Sequence, residues 1–179
     1  MKPLRILWTA LFILLLPILA LGQKVTVDFE KEVNFSKFKT YSWGRGTPVP
    51  NPMMDQRVVA GIEAQLAAKG LQKVADNADL EVFYHAAVGK QTQLNTTNMG
   101  GWGYGWGRYG AGMGTAVTTV QNIPTGELIV DVGDIQAKKF IWRGTARDTL
   151  SDKPEKNQKK LEKALTKMFQ KFPPPPGKK

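Results

Sequence analysis

The 179-residue sequence contains no cysteine and only one histidine, His85. Without thiols the chain forms no disulfide bond, binds no metal through thiolates and has no cysteine nucleophile. A single histidine leaves a zinc ion almost without ligands, and one titratable group without partners makes no acid–base mechanism. The catalytic motifs G-x-S-x-G and H-E-x-x-H are missing as well. The sequence therefore predicts a protein that is not an enzyme and that takes no metal or cofactor.

Charge is scarce between residues 89 and 126, where Lys90 and Arg108 are the only charged side chains. The centre of this segment, at 100–110, reads GGWGYGWGRYG, and the spacing G-x-G-x-x-G that begins at Gly105 spells the dinucleotide-binding fingerprint. That fingerprint requires a strand before its first glycine and a helix that opens at its last. Glycine and aromatic residues precede the motif here, and β-branched residues follow it. The sequence therefore indicates no nucleotide site.

The Gly/Trp-rich segment at 89–126 has two interpretations. One is a long mobile loop between strands, because long segments of this composition are often disordered. The other is a binding loop whose aromatic rings stack on sugars, enter a membrane interface or contact a protein, with an arginine available for an anion. The candidate binding residues are Trp102, Tyr104, Trp106, Arg108 and Tyr109.

The N-terminus has the pattern of a secretory signal peptide. Lys2 and Arg5 precede an apolar run from 6 to 21, and small residues at its end suit a signal peptidase. We expect a signal peptide over 1–22 that is cleaved before Gln23. The alternative is an uncleaved anchor, because a run of this length is ambiguous between the two. In either case the rest of the chain is expected to be exported.

The formal net charge is +10, and most of the excess lies in residues 138–179, which contain 13 Lys/Arg and four Asp/Glu. Within this region lysines recur every three or four residues along one side of a predicted helix. They are Lys156, Lys160, Lys163, Lys167 and Lys171, called the lysine row below. The row is either a solvated helix face or a dock for an anionic envelope surface. Nucleic acid is not an expected partner of an exported chain.

Alternation of apolar and polar residues predicts five strands. They cover 24–29, 40–43, 80–88, 127–132 and 139–146. In the last strand Phe140 and Trp142 are expected to share one face, and His85 is expected to face away from the buried side of the third. Asp131 and Asp134 flank a hairpin turn, where aspartates are common for structural reasons.

Two amphipathic helices are also predicted. The first is capped by Asp55 and runs to Lys69, and the second covers 156–172. The order β-β-α-β-β-β-α predicts an α+β fold, a two-layer sandwich of about five strands in a largely antiparallel sheet with both helices on one face. We expect one domain over 23–172, interrupted by the Gly/Trp-rich loop, and a Pro/Lys tail at 173–179.

Three stretches of the sequence resemble a known family. They are FSKFKTYSW at 35–43, QLAAKGL at 65–71 followed by Ala78-Asp79-Leu80, and GELIVD at 126–131 leading to IWRGTA at 141–146. Their order and spacing are similar to those of the bacterial envelope proteins catalogued as domain of unknown function 4136. The resemblance spans nearly all of the chain after the signal segment. It implies a fold and an envelope location, and it brings no catalytic residues.

Many members of that family look like lipoproteins, with a cysteine after the signal peptide that receives lipid. This chain has a similar segment, but Gln23 stands in the place of the cysteine. The resemblance therefore favours a periplasmic protein, or one bound peripherally to the outer membrane, without a lipid anchor.

These observations predict a non-enzymatic, exported cell-envelope protein that binds or scaffolds a partner in the periplasm or at the outer membrane. The expected partner is another envelope protein or an anionic envelope surface. The alternative is a binding module for a small ligand, a glycan or a lipid headgroup, that uses the Gly/Trp-rich loop. No transmembrane span is expected after the signal peptide is removed.

Overall fold

The structure of the protein is a computed structural model that describes residues 23–98 and 116–174. The predicted signal peptide, the centre of the Gly/Trp-rich segment and the last five residues of the tail lie outside the described residues. Six strands and two α-helices make up the described part. They are β1 (Lys24–Phe29), β2 (Thr40–Trp43), α1 (Pro52–Ala68), β3 (Gln72–Lys73), β4 (Leu80–Asn98), β5 (Ala116–Asp134), β6 (Lys139–Thr149) and α2 (Pro154–Phe169).

All six strands form one sheet in the order β1-β6-β5-β4-β2-β3. The pairings β1–β6, β6–β5 and β5–β4 are antiparallel, whereas β2 lies parallel to both β3 and β4. The predicted α+β fold with a largely antiparallel sheet is confirmed. The two-residue strand β3 is an addition to the five predicted strands.

Both helices lie on one face of the sheet, called the helix face, and the opposite face is called the outer face. The core between the helices and the sheet is filled by large apolar side chains, which occupy every second position along the strands. From the helices it takes Val58, Ile62, Leu66, Leu165 and Met168, and from the sheet Leu80, Val82, Val130, Val132 and Trp142. At the end of α2 the rings of Phe169 and Phe172 lie 5.4 and 5.2 Å from that of Trp142.

The first helix begins earlier than predicted. Asn51 is its N-cap, because the Asn51 side chain accepts a hydrogen bond of 3.1 Å from the amide of Met54, and Pro52 occupies the first helical turn. Asp55, the predicted cap, lies one turn inside the helix. Its carboxylate instead accepts hydrogen bonds from outside the helix, as described for the site below.

The second helix is shifted towards the N-terminus relative to its predicted span of 156–172. It begins at Pro154, whose fixed φ suits the first helical position, and it ends at Phe169. The side chain of Asn157 fixes its start by bonding to both the amide and the carbonyl of Ser151, at 2.8 and 2.7 Å. Phe172 lies beyond the helix but is buried in the core.

Phe140 and Trp142 do not share a face of the sheet, contrary to the prediction. The register of β5 and β6 shifts between Val132 and Gly133, so that Val132 pairs with Trp142 and Gly133 with Phe140. This β-bulge inserts one extra residue, Ile141, and reverses the alternation. Trp142 is buried on the helix face, whereas Phe140 is 55% exposed.

The central hairpin is much longer than predicted. β4 and β5 pair without interruption from Leu80 with Asp134 to Asn98 with Ala116. Residues 89–98 and 116–125, which were predicted to be loop, therefore form a two-stranded extension that we call the ribbon. At about 3.3 Å per residue it is about 30 Å long. Only residues 99–115 of the predicted loop fall outside the described part of the chain.

Candidate ligand pocket and charged surfaces

The predicted aromatic binding residues cannot be placed. Trp102, Tyr104, Trp106, Arg108 and Tyr109 all lie outside the described residues. Their role in binding stays a prediction.

The lysine row is only partly available to a partner. Lys156, Lys163 and Lys167 are exposed on α2, and Lys171 is exposed just after the helix. Lys160 turns instead to the end of β6. Its ammonium group lies 3.1 Å from Oδ1 of Asp148 and donates to the carbonyl of Thr149 at 2.7 Å. Four of the five predicted lysines therefore remain free of ion pairs within the described residues, and docking by the row stays a prediction.

His85 lies on the outer face, as expected from the alternation of β4. Its Nδ1 is 3.0 Å from Oγ1 of Thr47, a contact between a loop and the strand. Within residues 23–98 and 116–174, no group of three or more His, Asp or Glu residues could hold a metal ion. Neither described helix is long and apolar enough to cross a membrane.

The described part of the chain contains a pocket of about 310 Å³ between the first turns of both helices and the helix face of the sheet. Small residues on three adjacent strands form its floor. Ala86, Leu128 and Ala146 pair across the sheet in one row, and Val88 pairs with Gly126 in the next. Because alanine and glycine leave the space that larger side chains fill elsewhere in the core, a cavity opens here.

The walls of the pocket are mainly apolar and belong to the helices and the loops before them. They include Val49, Met54, Val58, Leu150 and Leu161. Charged residues, including Glu127, Arg147 and Asp152, line the pocket as well. Pockets of this volume with mainly apolar walls are typical of sites for small ligands.

The wall around Val49 is held in place by Asp55. Oδ1 of Asp55 accepts a hydrogen bond of 2.8 Å from the amide of Val49 and another of 2.8 Å from the hydroxyl of Tyr84. Burial, together with the adjacent Asp55 carboxylate, raises the pKa of Tyr84 to about 12. Tyr84 therefore stays neutral at physiological pH and acts as a donor that positions the start of α1.

Polar groups meet at one end of the pocket, where β1 begins beside α2. Nε2 of Gln23 donates a hydrogen bond of 2.6 Å to the carbonyl of Lys160. Oε1 of the same amide is buried and has no hydrogen-bond partner among the described residues. A buried acceptor without a partner costs about 1–3 kcal/mol.

Sequence reasoning missed this pocket. Its floor consists of small residues at inward positions of three strands, which only the cross-strand register brings together. The signal was present in the sequence, because Ala86 and Ala146 occupy inward positions of strands that elsewhere carry large apolar residues there.

Residues 25–174 match the model of a family described as a domain of unknown function, DUF4136. None of the curated proteins matches the sequence. A PDZ domain protein from Parabacteroides distasonis has a similar fold with a TM-score of 0.55 at 15% identity, and the match covers 86% of this chain and 37% of that longer one. That likeness concerns the fold alone.

Two smaller proteins are less similar. A PelC dodecamer from Paraburkholderia phytofirmans matches with a TM-score of 0.46 at 13% identity, over 88% of this chain and 99% of that one. A minor lipoprotein from Acinetobacter baumannii matches with a TM-score of 0.35 at 13% identity, over 76% and 93% of the two chains.

Proposed function

Because the chain belongs to the family of DUF4136 domains, we propose that it is a non-enzymatic, exported binding protein of the bacterial cell envelope. The pocket between the helices and the sheet is the observation that carries this proposal. It is the place where the described residues combine mainly apolar walls with enough volume for a small molecule. The protein is expected to act in the periplasm or at the outer membrane.

The chemistry of the pocket selects an amphipathic ligand. The walls favour an apolar chain or ring, because burial of apolar surface is the main source of affinity in such sites. A volume of 310 Å³ holds roughly ten non-hydrogen atoms if each takes about the 30 Å³ of a liquid water molecule. The lining also includes charged side chains, Glu127, Arg147 and Lys160 among them, which favour a ligand with a polar group next to its apolar part.

Binding rather than catalysis is favoured by the side chains around the pocket. Asp148 is paired with Lys160, and Asp55 is paired with Tyr84 and the amide of Val49. These groups hold the walls in position. The lining contains carboxylates and a lysine but, among the described residues, no histidine or serine, so it offers no Ser–His pair for nucleophilic catalysis.

The pocket can be tested with 2-naphthol, an uncharged apolar fluorophore of about eleven non-hydrogen atoms that has one O–H donor and so matches the volume of the pocket. We expect saturable fluorescence enhancement. Ala86→Leu, which fills the floor of the pocket, is expected to abolish it. Thr145→Leu is the control, because it places the same leucine side chain on the outer face of the same sheet, away from the pocket. Enhancement that survives Ala86→Leu, or that is lost equally in both variants, would show that the probe binds elsewhere.

Export has its own test. The protein expressed from residues 1–179 is expected to appear in the periplasmic or outer-membrane fraction, with Gln23 as its first residue after processing. Recovery in the cytoplasm with residues 1–22 intact would contradict the proposed location. That result would leave the pocket and its ligand unaffected.

A further inference from the structure

The ribbon extends beyond every other strand of the sheet. On one side, β6 ends at Thr149, which pairs with Thr125. On the other side, the last backbone contact is the hydrogen bond of 3.0 Å from the amide of Ala86 to the carbonyl of Thr47. Beyond these points the described structure contains only two strands. An isolated two-stranded hairpin is marginally stable in water, so pairing with a further strand would stabilise the ribbon.

The ribbon carries almost no charge that would protect it from pairing. Proteins usually guard exposed strand edges with charges, prolines or bulges. Lys90 is the only charged residue in 89–98 and 116–125. Leu94 and Val120 pair directly and are 64% and 59% exposed. The ribbon is thus an exposed β-structure that is nearly uncharged.

The two edges of the ribbon differ. On the β5 edge, Pro124 has no N–H group, and its carbonyl already accepts a hydrogen bond of 2.7 Å from the amide of Leu150. A proline at this position blocks the approach of another strand. The β5 edge is therefore guarded where the ribbon leaves the sheet.

The β4 edge is open. Backbone groups of an antiparallel strand point to alternate sides from one residue to the next. Because the amide of Ala86 points away from β5, to Thr47, the even-numbered residues from Val88 to Leu94 present their N–H and C=O groups on the same side. No described strand pairs with that edge. On this edge four alternate residues present outward N–H and C=O groups. One of these residues is a lysine and none is a proline.

We propose that the β4 edge of the ribbon pairs, antiparallel, with the same edge of a second copy of this chain, which joins two ribbons into a four-stranded sheet. An identical edge is a complementary partner, because antiparallel pairing about a two-fold axis matches each N–H with a C=O of the other copy. The single charge selects the register. With Thr92 opposite Thr92 of the second copy, Lys90 lies opposite Leu94 and the two lysines are kept apart. The centre of this interface, at Thr92, lies beyond the residues that line the pocket, and the interface does not depend on a bound ligand.

Sedimentation equilibrium of the purified protein without added ligand tests the interface. We expect a monomer–dimer equilibrium. Thr92→Pro removes the outward N–H at the centre of the interface without removing a β4–β5 hydrogen bond, and it is expected to weaken the dimer at least tenfold. Asn122→Pro is the matched control. Asn122 pairs with Thr92, accepts its hydroxyl at 3.2 Å and carries its own N–H on the β5 edge. The control is expected to remain dimeric.

Crosslinking supplies a second measurement. Because the chain has no native cysteine, an introduced cysteine is the only thiol that can react, so the result is unambiguous. Thr92→Cys is expected to give covalent dimers with a short bis-maleimide, whereas Asn122→Cys is not. A wild-type protein that is monomeric across a concentration series overturns the proposal. So does a dimer that survives Thr92→Pro, or one that both prolines weaken equally while circular dichroism shows both variants folded.

Discussion

Arg143 holds the carboxylate of Asp131 in a two-pronged ion pair on the outer face of the sheet. Nε lies 2.5 Å from Oδ1, and Nη2 lies 2.9 Å from Oδ2. Asp131 is only 2% exposed although no helix covers this face, because the guanidinium lies over it. The hydrogen bonds and charge of Asp131 raise the pKa of Arg143, and Asp28, opposite Arg143 on β1, adds to the effect.

Removing Arg143 alone should cost more than removing the pair. Arg143→Met leaves a buried carboxylate without its partner, and we expect a loss of about 1–3 kcal/mol in the free energy of unfolding. Adding Asp131→Asn should restore part of that loss, because the unpaired charge is gone. Urea unfolding of the two single variants and the double variant gives the coupling energy. Strict additivity of the single effects would contradict this account.

Gly144 is needed for the contact between α2 and β6. A methyl group there would overlap the side chain of Met168 and lie 2.6 Å from Cη2 of Trp142. Gly144→Ala is therefore expected to lower the free energy of unfolding by about 1–3 kcal/mol through overpacking. The control is Gly89→Ala, where the nearest atom, Oγ1 of Thr125, is at an ordinary 3.5 Å. Equal effects of the two substitutions on thermal unfolding would count against a packing origin.

The ionisation of Tyr84 makes the free energy of unfolding depend on pH in the alkaline range. Its folded-state pKa is about 12, against about 10 in an unfolded chain. The folded state thus favours the neutral phenol, so its contribution is complete below about pH 10 and is lost as the pH rises towards 12. The stability difference between wild type and Tyr84→Phe should shrink over that interval in chemical unfolding experiments. A constant difference would mean that Tyr84 ionises normally.

The exposed part of the lysine row has a separate test. If it docks to an anionic surface, Lys156→Gln, Lys163→Gln and Lys167→Gln together should reduce cosedimentation with vesicles of anionic lipid, and high salt should do the same to the wild type. Lys160→Gln is not a useful member of this set, because that lysine is bound to Asp148 and Thr149. Salt-independent pelleting would leave the row as a solvated helix face.

Most of the fold could be predicted from the sequence because its signals are local. Alternating residues such as Val25 and Val27 mark strands whose two faces meet different surroundings, and the spacing of Val58, Ile62 and Leu66 marks a helix with one buried side. These patterns occur in the sequence because each strand and helix buries one face against a shared core.

The ribbon could not be predicted in the same way. Its residues are exposed, so no contrast between the two faces is imposed on the sequence from Gln91 to Asn95. The bulge was missed for another reason, because the inserted Ile141 looks like any apolar strand residue until the register with Val132 is known. The pocket is likewise formed by three strands together, so no single segment of the sequence predicts it.

β4 and β5 run unbroken from the centre of the sheet, beneath the pocket, to the end of the ribbon. A pulling force applied along the ribbon is therefore transmitted to the domain by β4, which carries Ala86, and β5, which carries Leu128. A pull along the hairpin moves β4 and β5 together, so the load falls on the hydrogen bonds that join β5 to β6. These bonds lie perpendicular to the pull, so many of them share it and none is peeled first. Tension on the ribbon therefore passes through the floor of the pocket.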